Sequence, residues 1–200
     1  MDRDVLYDKK WFTFLRQAEM FRKIPFVDLV LASGSLVLGD VNKDSDFDVL
    51  VGVRQGRLYT ARFFCLAIFK MLGWRNHIKK GRSGFCFNHF VTPAAYCLAP
   101  PYSDYDRRLY KNIKPVFGAP EKVAEFFKAN AGWVNIGDVV SPQDLRHPER
   151  SRTSFFLEGF LKWLQIRKIK QNIKIYGNDR SRIICNDNEV RLWFNPKSDI

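Results

Sequence analysis

Apolar residues recur at helical spacing in two segments of the first half and fill three shorter runs bounded by glycine or proline. Helical spacing is typical of an amphipathic helix, whereas short apolar runs rich in valine and phenylalanine are typical of buried strands. The predicted elements are, in chain order, a helix at 8–22, a strand at 26–32, a strand at 47–53, a helix at 58–72 and a strand at 85–92. Gly34-Ser35 turns the chain between the first two strands and begins a short helix.

The second half is predicted to be mostly helical and to end in a β-hairpin. Helix starts are expected at Pro120-Glu121 and at Ser141-Pro142-Gln143-Asp144, and a strong helix is expected from Ser154 to Gln171. The runs RIIC and VRLWF, separated by a polar turn, predict the hairpin. We therefore expect an α+β fold with a small mixed β-sheet flanked by helices. A core is expected at residues 1–98, followed by a basic, mainly helical extension or small domain at residues 99–200.

Composition and charge narrow the class of protein. The chain has 200 residues and is 46% hydrophobic, which is typical of a packed globular protein. Its net charge of +12 resides in residues 58–200, because the first 57 residues carry equal numbers of acidic and basic groups. Such a surface attracts RNA, DNA or nucleoside triphosphates, although it also suits a generally basic soluble protein. The four separated cysteines predict free thiols in a reducing cytoplasm, and we expect no membrane span.

Two acidic residues, Asp46 and Asp48, fall at the start of the second predicted strand. Their side chains point to the same face, because side chains alternate along a strand. Neighbouring carboxylates repel unless a cation lies between them, and Mg²⁺ binds one or two carboxylates together with substrate phosphates. Gly34 permits close approach of the backbone to a ligand, and Ser35 offers a hydroxyl and an amide for a phosphate. The alternative is an exposed strand end beside an ordinary turn.

A family resemblance follows from these residues. Gly34-Ser35, ten intervening residues and Asp46-Phe47-Asp48 ahead of an apolar strand closely resemble the signature of the polymerase-beta-like nucleotidyltransferase superfamily. The resemblance covers roughly residues 10 to 92 and implies the nucleotidyltransferase fold for this core. It implies that Asp46 and Asp48 hold Mg²⁺ (or Mn²⁺) and that Gly34 and Ser35 bind the β- and γ-phosphates of a nucleoside triphosphate (NTP). A nucleoside monophosphate (NMP) would then pass to an acceptor hydroxyl of RNA, a protein or a small molecule, with release of pyrophosphate.

A third carboxylate is usual in this superfamily on the neighbouring strand, but the run FCFNHFVT has none. Its polar residues ahead of Thr92 are Asn88 and His89, which face opposite sides of a regular strand, so we expect only one of them to face the acids. We favour Asn88 as a neutral catalytic and metal-ligand group. His89, with an unperturbed pKa of about 6.5, is the alternative as a base. Both residues also have ordinary structural explanations, and Asp104 or Asp106 is a further candidate for the third acid.

Basic residues cluster in two stretches, at 75–82 and between Lys162 and Arg182, where Trp163 and Tyr176 lie among them. Basic groups interleaved with aromatic rings suit phosphate contact and base stacking, which predicts an RNA acceptor. They also suit a solvated helix face whose aromatic residues belong to the core, and we expect Trp163 to be a core residue. The leading hypothesis is a metal-dependent nucleotidyltransferase. The alternatives are a catalytically impaired nucleotide- or RNA-binding module and an antitoxin-like protein that binds an unknown protein partner.

Overall fold

The structure is a computed structural model that describes residues 3–75, 83–134, 155–176 and 182–193. Its helices are α1 (Arg3–Ala18), α2 (Gly34–Leu38), α3 (Leu58–Met71), α4 (Asp104–Asn112), α5 (Pro120–Asn130) and α6 (Phe155–Tyr176), with 3-10 turns at Glu19–Lys23 and Pro93–Ala95. Its strands are β1 (Val27–Ser33), β2 (Phe47–Val53), β3 (Phe85–Val91), β4 (Lys114–Gly118), β5 (Arg182–Cys185) and β6 (Glu189–Trp193). The helix start expected at Ser141 lies outside the described residues.

The elements predicted for the first half are confirmed, with small shifts at their ends. Helix α1 begins at Arg3 and becomes a 3-10 turn after Ala18, whereas the prediction ran from Asp8 to Arg22. The helix start at Pro120, the long helix near residue 155 and the closing hairpin are also confirmed. Strand β4 was not predicted, because its Pro115 and Gly118 interrupt the strand pattern. Proline is tolerated there because β4 lies at the edge of the sheet.

The described strands form one mixed six-stranded sheet in the order β4-β1-β2-β3-β6-β5, which confirms the α+β class. Strand β2 is parallel to β3, and the other neighbouring strands are antiparallel. Residues after position 98 supply β4 at one edge of the sheet and the β6–β5 hairpin at the other. In the part of the chain that the structure describes, no helix has the length and apolarity needed to cross a membrane.

One face of the sheet packs against helices α1 and α3 through an aromatic core. Phe14 of α1 contacts Phe47 and Phe85 with ring centroids 5.4 Å apart in each pair. Phe69 of α3 lies 4.7 Å from the Phe85 ring, and all four rings are buried. Since side chains alternate along β2, Asp48 must project from the opposite face of the sheet.

Helix α6 docks on α3 through polar groups as well as apolar contacts. The carboxylate of Glu158 accepts hydrogen bonds from the backbone amides of Tyr59 at 2.7 Å and Thr60 at 2.8 Å. It therefore caps the first turn of α3, where a negative charge is favourable. Leu161 is buried, whereas Trp163 is 56% exposed, so the expectation that Trp163 is a core residue is wrong. Trp163 comes two residues after Leu161, which corresponds to a rotation of about 200° around the helix. Its side chain therefore points away from the buried side of α6 on which Leu161 lies.

Candidate active site

A cleft of about 780 Å³ opens on the face of the sheet opposite the aromatic core. Residues that pair across neighbouring strands project to the same side, and Asp48 pairs with Ser33 of β1 and with Cys86 of β3. All three residues line the cleft. Helix α4 and the β6–β5 hairpin provide its other walls, including Asp106 and Arg182. The cleft therefore combines the acidic strand of the first half with polar groups from the second half.

The glycine of the Gly-Ser pair lies directly against the acidic strand. Gly34 has a φ of +66°, a backbone conformation that favours glycine. A Cβ atom at this position would overlap Oδ2 of Asp48 and lie 2.7 Å from its Cβ and Cγ atoms. Two independent constraints, the left-handed backbone and the close approach, thus require glycine here. The two parts of the sequence motif meet in space.

Asp46 and Asp48 interact electrostatically. Burial, and after it the negative charge of Asp46, raises the pKa of Asp48 to about 6. The thiol of Cys86 donates a hydrogen bond to the Asp48 carboxylate and acts in the opposite direction. Two neighbouring half-buried carboxylates of like charge form a site where a cation would be stabilised.

Lys10 of helix α1 holds the loop that leads to the acidic pair. Its Nζ donates hydrogen bonds to the backbone oxygens of Lys43 at 3.2 Å and Ser45 at 2.6 Å, and to Ser83 Oγ at 2.7 Å. Burial lowers the pKa of Lys10, and the charge of Asp46 raises it. Lys10 was not among the residues predicted from the sequence. The available signal was a lysine on the buried side of α1, one turn before Phe14.

Asn88 and His89 both line the cleft. The expectation that only one of them faces the acids is wrong, because the strand is not regular at this point. Asp48 pairs with Cys86, but Leu50 pairs with His89, so three residues of β3 span two residues of β2. The extra residue shifts the alternation of side chains. His89 is thereby placed on the same side of the sheet as Asp48.

His89 belongs to a buried network with residues of β6. Its Nε2 lies 3.0 Å from Glu189 Oε1, and Nε of Arg191 lies 3.1 Å from the same oxygen. Burial lowers the pKa of His89, while the hydrogen bond and charge of Glu189 raise it. These contacts give His89 a structural role, because they link β3 to β6 of the hairpin.

The two later acids differ in position. Asp104 is exposed at the start of α4, whereas Asp106 is buried and lines the cleft. The Asp106 carboxylate accepts hydrogen bonds from the Ser103 amide at 2.8 Å and the Ser103 hydroxyl at 2.7 Å. It also pairs with Arg182 Nη1 at 2.7 Å. Asp106 therefore reaches the cleft, but one of its oxygens, Oδ2, already accepts from Ser103 and binds a guanidinium.

The donor set fits a cation held by few protein ligands. Within the described residues, no group of three or more His, Cys, Asp or Glu side chains is arranged to hold a metal ion. Asp46 and Asp48 supply carboxylate oxygens of the kind that Mg²⁺ prefers, and Mg²⁺ commonly takes its other ligands from water and substrate phosphates. The raised pKa of Asp48 is the observation that favours a cation here.

Comparison with protein-family models gave no match for this chain, and neither did a comparison with curated proteins. The functional interpretation therefore depends on the cleft and its residues.

Ser35 is half-buried in the first turn of α2, beside Gly34. Of the basic stretch at 75–82, only Arg75 lies within the described residues.

Proposed function

We propose that the protein is a metal-dependent nucleotidyltransferase that moves an NMP from an NTP to an acceptor hydroxyl, with release of pyrophosphate. One observation carries this proposal: Gly34 packs directly against Asp48, whose pKa is raised by burial and by Asp46. A cleft of about 780 Å³ is also within the usual size range of small-molecule sites. The sequence resemblance to the polymerase-beta-like superfamily adds to this support.

The residues of the cleft, together with their neighbours Asp46 and Ser35, have distinct roles in this proposal. Asp46 and Asp48 would hold Mg²⁺ or Mn²⁺, which when bound neutralises phosphate charge. Gly34 and Ser35, which begin α2 directly beside Asp48, bind the β- and γ-phosphates. Asn88 presents a neutral amide to the cleft, and catalysis comes mainly from positioning and charge neutralisation.

Arg182 supports binding of the triphosphate from the opposite wall. Its guanidinium is held by Asp106 and by the backbone oxygen of Pro101. Such anchoring fixes a cation on the rim of the cleft at little further entropic cost when an anion binds. The acceptor class stays open between RNA, a protein and a small molecule, and we place the reaction in the cytoplasm.

The experiment is incorporation of label from α-labelled NTPs into mixed acceptor pools, with Mg²⁺ or Mn²⁺. Asp46→Ala and Asp48→Ala should each abolish incorporation. Both variants should still show a cooperative unfolding transition in urea, which demonstrates that they are folded. Asp8→Ala, which removes an exposed acid of α1, is the matched control and should retain incorporation. If the wild type incorporates no label with any NTP and metal, or if both Asp46→Ala and Asp48→Ala remain active, the proposal is wrong.

A second candidate is a binding module of the same fold that holds a nucleotide without turnover. It is favoured by Asp106, the buried acid of the cleft wall, because Oδ2 of that carboxylate already accepts from Ser103 and pairs with Arg182. This candidate predicts saturable NTP binding without pyrophosphate release. A coupled pyrophosphate assay separates the two: release that depends on Asp48 eliminates the binding module, whereas tight binding without release supports it.

A further inference from the structure

The side of α6 that faces away from the protein carries aromatic rings. Phe160 is 57% exposed and Trp163 is 56% exposed. Their rings are stacked, with centroids 6.4 Å apart and planes 26° from parallel. The guanidinium of Arg167 lies 5.8 Å above the Trp163 ring. A planar cation and two flat rings therefore form one continuous exposed surface.

A shallow groove of about 470 Å³ runs beside this surface. Its lining includes Gly159, Trp163, Ile166, Arg167 and Lys170. A Cβ atom at Gly159 would meet no other atom within 4 Å, so the groove is open at this point. Glycine in the interior of a helix is less favourable than alanine, and nothing in the packing of α6 requires it.

The charge of this face is positive. Helix α6 contains five basic residues, which are Lys162, Arg167, Lys168, Lys170 and Lys174. Its one acid, Glu158, points toward α3 and caps that helix. Lys162 pairs with Asp187 at 2.5 Å, while Arg167 and Lys170 continue the positive charge along the groove. The face thus combines flat rings for stacking with cations close to them.

We propose that this face of α6 binds single-stranded nucleic acid, with bases stacked on Trp163 and Phe160 and phosphates bound by Arg167 and Lys170. Unpaired bases stack on aromatic side chains, and their phosphates need nearby cations. A second copy of the chain is a poorer occupant, because it would bring two sets of the same cations together. The proposal goes beyond the proposed function, since binding on α6 does not require the acidic pair.

The test is fluorescence anisotropy with short labelled oligo(U) and oligo(dT), measured over a range of salt concentrations. Trp163→Ala should weaken binding about 5-fold to about 100-fold without changing the salt dependence, because it removes stacking alone. Lys170→Gln should reduce the slope of log K against log [salt] by about 0.7, the value for one phosphate contact on a single strand. Phe12→Ala is the matched control, because Phe12 is 69% exposed on α1. That variant should bind like the wild type.

Additional variants and a comparison of two oligonucleotides make the outcome of this binding experiment decisive. Gly159→Leu fills the open groove without entering the core and should weaken binding at least 5-fold. The comparison of oligo(U) with oligo(dT) distinguishes RNA from DNA. Asp48→Asn should bind the oligonucleotides like the wild type, which separates failure of this proposal from failure of nucleotidyl transfer. Wild-type affinity in Trp163→Ala or Gly159→Leu would overturn the proposal. So would sedimentation showing a wild-type dimer that Trp163→Ala dissociates.

Discussion

Asp48→Asn should stabilise the metal-free protein at neutral pH and, under the proposed function, should abolish nucleotidyl transfer. Burial and the charge of Asp46 raise the pKa of Asp48 from 3.8 to about 6. Between those two values the folded state binds more protons than the unfolded state. Stability therefore falls as the pH rises from about 4 to about 6, and the loss persists at higher pH. Asparagine is never ionised, so the variant does not suffer this loss.

The size of the expected stabilisation follows from the shift in the pKa of Asp48. One pKa unit corresponds to about 1.4 kcal/mol, so a shift of about two units corresponds to about 3 kcal/mol at pH 8. The amide oxygen of asparagine still accepts the hydrogen bond from Cys86. Its amide nitrogen adds donors that need partners, and for this reason 3 kcal/mol is the upper end of the expected gain.

Urea unfolding followed by tryptophan fluorescence measures the difference. The free energy of unfolding of Asp48→Asn, relative to that of the wild type, should rise by up to about 3 kcal/mol between pH 4 and pH 8. In an Asp46→Asn background the same substitution should give a smaller rise, because one cause of the pKa shift is gone. A difference that does not change with pH, or a variant less stable than the wild type at pH 8, would refute the reasoning.

Two further substitutions test the surroundings of the acidic pair, each by urea unfolding. Gly34→Ala should lower the free energy of unfolding by about 3 kcal/mol or more, because it combines a left-handed backbone with overlap on Asp48. Gly39→Ala has a similar φ of +74° but open space around it, so its loss should stay near 1–2 kcal/mol; equal losses would contradict the close approach. Lys10→Met leaves three acceptors without their donor and should lower the free energy of unfolding by about 2–3 kcal/mol. Lys9→Met, at an exposed position, should stay within about 0.5 kcal/mol, and the same small change in Lys10→Met would remove Lys10 from its anchoring role.

Local patterns were enough to predict that Gly34 and Asp48 lie close together. The turn at Gly34 and the acids at Asp46 and Asp48 are tied to short apolar strands that are recognisable from sequence. Strand alternation then correctly assigned Asp48 to the face opposite Phe47. These features depend on neighbours within a few residues, which is the range over which sequence patterns are informative.

Features that depend on contacts distant in sequence were not predictable. The position of Arg182 beside Asp106 depends on where the hairpin joins the sheet, and no local pattern encodes that position. The register shift that brings Asn88 and His89 into one cleft arises from the pairing of β3 with β2. Likewise, Trp163 was wrongly assigned to the core, because the docking of α6 on α3 decides which side of the helix is buried.

The contrast between the two acids that line the cleft bears on the proposed function. Asp106 is buried with two donors from Ser103 and a guanidinium from Arg182, so its charge is compensated within the protein. Asp48 has a thiol donor from Cys86 and a neighbour of like charge, and its pKa rises accordingly. The chain thus compensates one carboxylate and leaves the other electrostatically unfavourable, next to the Gly-Ser turn. Such local instability is typical of sites whose missing charge arrives with a ligand, which supports the proposal that Asp48, and not the better-satisfied Asp106, lies at the centre of the proposed site.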